Sequence, residues 1–153
     1  MHTLSRRTLL AATLGAPLAA AFAMSASAAT LPGYAEGGIA VDGSDVVAYF
    51  TEGKPVAGDA GITHDWNGAT WRFSTAANRD AFAADPEAYA PQYGGYCAYA
   101  VSEGYTASPA PNAWSIVDGK LYLNYSRSVR ALWNTSRTRR IRDADANWPG
   151  VLN

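Results

Sequence analysis

The 153-residue chain contains a single cysteine, Cys97. A lone cysteine cannot form a disulfide within its own chain, so an internal disulfide framework is excluded. The chain has only two histidines and two methionines, and Met1, His2 and Met24 all fall within its first 28 residues. Beyond residue 28, Cys97 and His64 are the remaining soft-metal donors. No apolar run beyond residue 28 is long enough to span a bilayer.

The first 28 residues have the layout of a cleaved export signal. A basic start is followed by a long apolar run and by small residues ending at Ala28, which is the usual order of regions in a signal peptide. The segment SRRTLL, with Arg6 and Arg7, resembles the twin-arginine export signal of bacteria. An uncleaved membrane anchor is the alternative, and Gly15 and Pro17 in the apolar run disfavour it. We therefore expect cleavage of residues 1–28 and a periplasmic or secreted protein.

The expected mature chain is mildly acidic. Arg6 and Arg7 leave with the signal, so 10 of the 12 basic side chains stay beside all 13 acidic ones, a net charge of about −3. Such a domain is a poor candidate for binding nucleic acid or anionic lipid. The basic run at residues 137–142 is followed by Asp143 and Asp145, which favours a solvated helix face over an anion-binding patch. About 125 residues remain, enough for one domain with one core.

Local patterns predict a small α+β domain at residues 44–149, after an irregular leading segment at residues 29–43. The β-branched and aromatic residues 46–50 favour a strand. Two hairpins are predicted, turning at Asn67-Gly68 and at Asp118-Gly119, because Asn, Asp and Gly accept positive φ. In the second hairpin, the alternation places Trp114 and Ile116 on one face of the first strand. It places Leu121, Leu123 and Tyr125 on one face of the partner strand.

Two helices and one long loop complete the predicted domain. A short helix is expected at residues 76–84, capped by Ser74 or Thr75 and ended by Pro86. A C-terminal helix should begin near Ser126 or Ser128, and its buried face would hold Val129, Leu132, Trp133, Ile141 and Ala144. Residues 91–112 contain three glycines and three prolines and predict a structured loop, where functional residues often lie.

One part of the chain resembles the YHS domain. The residues that carry the resemblance are Phe73, Ser74, Thr75, Asn78, Arg79, Phe82, Asp85, Pro86 and Tyr89. Upstream, Asp45-Val46-Val47-Ala48 is similar to the Asp-Pro-Val-Cys motif of that family, and residues 42–148 resemble a subgroup of exported, stand-alone YHS proteins. The resemblance implies a role in heavy-metal handling.

The chain departs from that family at the metal donors. Where metal-binding YHS proteins carry cysteine or histidine, this sequence has Ala48, Ser74 and Asn78, which give a soft metal neither sulfur nor imidazole. The usual metal site of the family therefore cannot be carried over.

A replacement metal site would have to use Cys97 and His64. Together with a carboxylate, Asp45 or Asp65, they would form a three-ligand site suited to copper or zinc. Two chains could also share ligands across a dimer. The alternatives are that His64 is a surface histidine and Cys97 a small buried apolar residue. A catalytic Cys97–His64 pair has no recognisable orienting partner in the sequence.

The stretch YGGYCAYAVSEGY predicts a ligand pocket lined by aromatic rings. The candidate ligand-binding residues are Tyr93, Gly94, Gly95, Tyr96, Cys97 and Tyr99. Glycines would let the backbone approach a ligand closely, and tyrosines would supply its walls. The alternative is that the tyrosines pack in the core and the glycines form a turn.

These patterns predict an exported, non-enzymatic protein that binds a small ligand or a metal ion. Twin-arginine export moves folded proteins, which fits a ligand or metal loaded before export. The alternative is a metal-free interaction module that presents residues 91–112 to a protein partner.

Overall fold

The computed structural model describes residues 32–153, so the predicted export signal and its cleavage point lie outside the described residues. Within the described range the predicted α+β class is confirmed. Four strands form one sheet in the order β1-β2-β4-β3, and two more form a separate hairpin sheet. None of the helices in this part of the chain combines the length and apolar character needed to cross a membrane.

The strands are β1 (Ala35–Glu36), β2 (Ile39–Ala40), β3 (Asp59–Trp66), β4 (Ala69–Phe73), β5 (Trp114–Val117) and β6 (Lys120–Leu123). The helices are α1 (Ala48–Thr51), α2 (Ala76–Ala84), α3 (Pro86–Tyr89), α4 (Ala98–Ser102), α5 (Arg127–Asn134) and α6 (Arg137–Asn147). Short 3-10 turns lie at Val41–Gly43, Gln92–Gly95 and Gly150–Leu152.

Both predicted hairpins are confirmed. The turn residues Asn67 and Gly68 have φ angles of 51° and 78°, and Asp118 and Gly119 have 51° and 73°. These left-handed conformations are the ones that Asn, Asp and Gly adopt at the lowest cost. The turn chemistry therefore fixes the register next to each turn, and the β3–β4 pair shifts its register further along, between Asp59 and Thr63.

The predicted helix α2 is also confirmed, with Thr75 as its cap. The Thr75 side chain accepts a hydrogen bond from the backbone N–H of Asn78 at 3.1 Å, which satisfies one of the unpaired donors of the first turn. Pro86 ends the helix as expected and begins α3. Pro is favoured at a first helical position because its missing N–H has no partner to lose there.

The predicted strand at residues 46–50 is wrong. The segment turns directly into α1, because Asp45 Oδ1 accepts hydrogen bonds from the backbone N–H groups of Val47 at 3.0 Å and Ala48 at 3.2 Å. Its β-branched and aromatic side chains reflect burial in the core, since Val46, Val47 and Tyr49 are at most 1% exposed.

The loop predicted at residues 91–112 is partly helical, because it contains the 3-10 turn Gln92–Gly95 and α4. The single C-terminal helix is also wrong, since the chain breaks after Asn134 into α5 and α6. Trp133 is fully buried as expected, but Leu132 is 50% exposed.

Arg140 departs from the predicted solvated face of the basic run. It is 8% exposed, its guanidinium lies 4.1 Å from the ring centroid of Tyr99, and it donates to Ser102 Oγ at 3.1 Å and to Glu103. A buried guanidinium needs such partners because its desolvation is costly. Arg140 therefore ties α6 to α4.

The β5–β6 sheet separates two hydrophobic clusters. Leu121 and Leu123 pack with Phe73 and Phe82 in the first cluster, whereas Tyr122 packs with Trp133 in the second. Successive side chains of a strand point to opposite faces, so one short strand serves both cores. Trp114 and Ile116 pack against the first cluster as predicted, whereas Tyr125 lies beyond the strand and is 57% exposed.

The buried carboxylate of Asp45 connects three elements of the fold. Oδ1 accepts from the start of α1, and Oδ2 accepts from Ser74 N at 2.8 Å, Ser74 Oγ at 2.6 Å and Asn78 Nδ2 at 2.8 Å. Asp45 is 0% exposed, so its carboxylate has lost its bound water, and the five donors take the place of that water. The residue joins α1, the end of β4 and α2.

We predict that Asp45→Asn lowers the free energy of unfolding by about 3 kcal/mol, because the new amide N–H₂ faces donors and leaves them unpaired. A urea titration of the chain from residue 29 measures the change. Asp65→Asn is the control, since Asp65 is exposed and accepts from the Thr70 hydroxyl at 2.8 Å; its cost should stay below about 0.5 kcal/mol. Equal costs for the two variants would contradict the central role of Asp45.

Candidate functional site

A cavity of about 430 Å³ opens where the β3–β4 turn, the 3-10 turn Gln92–Gly95 and the end of α6 meet. Its aromatic lining comes from Tyr34, Trp66, Trp71, Tyr93 and Trp148. The volume lies within the range of small-molecule pockets, roughly 300–1,000 Å³. It is the part of the described structure that most resembles a ligand site.

Trp66 and Trp71 form one wall of the cavity. Their ring centroids lie 5.7 Å apart, and Trp71 Nε1 donates to the backbone oxygen of Trp66 at 2.9 Å. Phe82 of α2 supports both rings from the core, at centroid distances of 5.7 Å and 5.0 Å. The two indoles are therefore held in place before any ligand arrives.

Tyr93 and Trp148 form a second wall, with ring centroids 6.2 Å apart. Tyr96 supports this wall without lining the cavity, because its ring lies 6.2 Å from Trp148 and 5.9 Å from Tyr34. The wall thus combines the N-terminal segment, the tyrosine-rich turn and the end of α6.

Gly94 lets the N-terminal segment close one side of the cavity. Its carbonyl accepts a hydrogen bond from Tyr34 N at 2.9 Å. A Cβ on Gly94 would lie 2.8 Å from Gly33 Cα, and a Cβ on Gly33 would lie 2.8 Å from the Gly94 oxygen. Both positions need glycine, since real Cβ contacts are not that short. The glycine permits a close approach of two backbone segments.

Glu87 and Asp145 give the cavity its charge. They are the carboxylates of the lining, and no Lys, Arg or His is among the described residues that line it. Tyr93 donates its hydroxyl proton to Asp145 Oδ1 at 2.7 Å. Burial, followed by this hydrogen bond, raises the pKa of Tyr93, so the phenol stays neutral and acts as the donor.

The predicted ligand-binding residues divide into two groups. Tyr93 and Gly94 line the cavity, and their contact with a ligand stays a prediction. Gly95 is buried under Val41, whose Cγ1 would lie 2.5 Å from a Cβ at that position, and the Tyr99 ring lies under Arg140. The lining of the cavity therefore does not include Gly95, Tyr96, Cys97 or Tyr99.

Most residues that line the cavity were not predicted from the sequence. Tyr34, Trp66, Trp71, Glu87, Asp145 and Trp148 were not predicted there, since they come from distant parts of the chain. The abundance of aromatic residues, 12% of the chain, was the available signal, but composition does not say which rings meet.

Cys97 is a buried packing residue with one polar contact. It is 1% exposed, and its thiol points to Asn124 Oδ1 at 3.6 Å. The same oxygen accepts from Tyr99 N at 3.0 Å, while the backbone of Asn124 bonds to Ala110 and Ala113. Asn124 therefore holds the start of α4 against the end of β6, and Cys97 belongs to that joint.

The predicted metal site of Cys97, His64 and Asp45 does not form within the chain. Among residues 32–153, no group of three or more His, Cys, Asp or Glu side chains is placed to hold a metal ion. The His64 ring packs edge-on against Phe82 at 6.1 Å on the edge strand β3. Cys97 contacts Asn124 instead, and the carboxylate of Asp45 is occupied by five hydrogen bonds.

The three residues that the resemblance to YHS domains compared with metal donors lie close together in the structure. Ala48, Ser74 and Asn78 all surround Asp45, but each one donates a hydrogen bond to its carboxylate. The Ser74 hydroxyl and the Asn78 side-chain amide both donate to the Asp45 carboxylate, so their role here is structural.

A second, wider depression of about 840 Å³ lies beside β5 and the α5–α6 junction. It is shallow, and its charged lining is Arg130, Arg137 and Arg139. Arg130 donates to Ser115 Oγ at 2.9 Å and Arg139 pairs with Asp143 at 3.5 Å. Two of its three arginines thus have partners already, and the aromatic cavity is the better-formed site.

The chain matched none of the family models, curated proteins or solved structures with which it was compared.

We predict that the Cys97 thiol reacts with Ellman's reagent at least about 100-fold more slowly in the folded protein than in urea, because reaction requires opening of the structure. The control is a double variant, Cys97→Ser with Tyr105→Cys, since Tyr105 is 51% exposed. Its thiol should react quickly in the folded state. A fast reaction of native Cys97 would contradict the packing role and restore a chemical one.

Proposed function

We propose that the protein is an exported, non-enzymatic binding protein whose small organic ligand occupies the aromatic cavity. The observation that carries this proposal is the preformed pocket between Trp66, Trp71, Tyr93 and Trp148. Ligand pockets are typically concave, mostly apolar and equipped with a few polar groups. Glu87 and Asp145 supply such groups here.

The arrangement of the rings supports binding over simple packing. Rings that served only the core would be buried on all sides, as Phe82 and Trp133 are at 0% exposure. Trp66 and Trp148 instead are half-buried and turn part of their surface to the cavity. Rigid, supported aromatic walls contribute affinity because little side-chain entropy is lost on binding.

The alternative of a protein-interaction module has less support. Much of the segment at residues 91–112 packs into the fold, including Tyr93, Cys97 and Val101 at 5% exposure or less. Its exposed residues are 103–106 and 112, which is a small surface for a protein partner.

We predict that a screen of the chain from residue 29 finds a ligand that quenches or shifts tryptophan fluorescence. The panel holds amines, amino acids, sugars, organic acids and aromatic bases, and hits are confirmed by calorimetry. Trp148→Leu should weaken binding by about tenfold, because it removes one aromatic wall.

Trp114→Leu is the matched control, since Trp114 is also half-buried but lies outside the cavity. Melting temperatures of both variants show that each is folded. The proposal fails if no class of compound binds, or if both variants weaken binding equally.

A further inference from the structure

The charge of the aromatic cavity is not compensated by its own lining. Glu87 and Asp145 are negative, and the lining within the described part of the chain supplies no cationic side chain. We propose that the ligand is a small organic cation, with a methylated ammonium group held by the aromatic rings and by these two carboxylates. This inference rests on the proposed function above and specifies its ligand class.

The first carboxylate is free to meet a ligand. Glu87 is exposed on α3, and within residues 32–153 no hydrogen bond or ion pair to its side chain is present. An unpaired carboxylate at the edge of an apolar cavity attracts a cation more strongly than it would in open water, because the low-dielectric walls screen it less.

The second carboxylate is oriented but not saturated. Within residues 32–153, Asp145 accepts one hydrogen bond, from the Tyr93 hydroxyl, and a carboxylate can accept about four. The neighbouring arginine Arg142 is directed to Asp143 instead, with Nη2 2.7 Å from Oδ1. Most of the acceptor capacity of Asp145 is therefore left for a ligand in the cavity.

The rings favour a cation of low hydration. Ring faces carry negative electrostatic potential and attract ammonium groups, with Trp the strongest of the three aromatic side chains. Three of the five lining rings are Trp. Both tyrosines stay neutral, since burial, with smaller effects from hydrogen bonds and nearby acids, raises the pKa of Tyr34 to about 12 and that of Tyr93 further. The site thus combines neutral ring faces with two fixed negative charges.

Other ligand classes fit less well. An organic anion would meet two carboxylates and no basic partner, which costs affinity. A bare metal ion needs several oxygen, nitrogen or sulfur donors around it, and the described residues contain no such group. A neutral ligand such as a sugar could stack on the indoles and donate hydroxyl hydrogen bonds to the carboxylates, but it would leave their two negative charges without a counter-charge.

The experiment compares choline with its neutral carbon analogue, 3,3-dimethyl-1-butanol, which has the same shape without the charge. Binding of each to the chain from residue 29 is measured by calorimetry and tryptophan fluorescence at low ionic strength. We expect choline to bind about tenfold more tightly than the neutral analogue, from ring and carboxylate attraction together. Glucose is the third probe and represents neutral sugars.

Two isosteric variants test the carboxylates. Glu87→Gln and Asp145→Asn should each weaken choline binding roughly three- to tenfold and leave the neutral analogue unchanged. Glu52→Gln is the matched control, because Glu52 is also exposed but lies outside the cavity. Glu87→Gln removes no contact within the described chain, so this variant is expected to fold normally.

Equal binding of choline and 3,3-dimethyl-1-butanol, or tighter binding of glucose, would overturn the cation inference. So would unchanged choline affinity in both carboxylate variants. In each of these cases, a loss of binding in Trp148→Leu would leave the proposed function standing. If none of the three probes binds, the cation inference falls, and the ligand panel described above decides the proposed function separately.

Discussion

The fold depends on how one buried carboxylate is satisfied. Asp45 is fully buried, and its two oxygens accept five hydrogen bonds from α1, the end of β4 and α2. A buried charge is tolerated only when its hydrogen bonds are complete. This requirement fixes α2 against the sheet, and α2 carries Phe82, the ring that supports Trp66 and Trp71. The cavity wall is thus set by a carboxylate that is absent from its lining.

Two of the metal ligands predicted from the sequence, Asp45 and Cys97, have structural roles because their polar atoms are engaged by neighbouring groups. Asp45 and Cys97 lie in polar joints where every available oxygen or thiol already faces a partner. Asn124 holds the start of α4 as Asp45 holds the start of α1, because its side-chain oxygen accepts a hydrogen bond from the backbone N–H of Tyr99. Polar residues in the core of a small domain specify which elements meet, and the Asp45 oxygens and the Cys97 thiol are engaged in doing so.

Local signals in the sequence predicted the parts of the fold that local physics determines. Asn67-Gly68, Asp118-Gly119 and the Thr75 cap act within a few residues, so both hairpins and α2 were predicted correctly. The segment at residues 46–50 was mistaken for a strand because burial and strand propensity favour the same side chains. The cavity could not be predicted, since Tyr34, the indoles and Asp145 meet only through long-range contacts.

Tyr93 shows how the cavity is joined to the second core. Its φ angle is 58°, a conformation that is uncommon outside glycine and costs of order 1 kcal/mol. The surroundings hold it there: its hydroxyl is bonded to Asp145 on α6, and its ring contacts both Tyr122 and Trp148. One face of this residue belongs to the cavity and the rest to the cluster that packs α6. Under the proposed function, a ligand in contact with Tyr93 would act on the same contacts that hold α6, so ligand affinity and the stability of α6 would be linked.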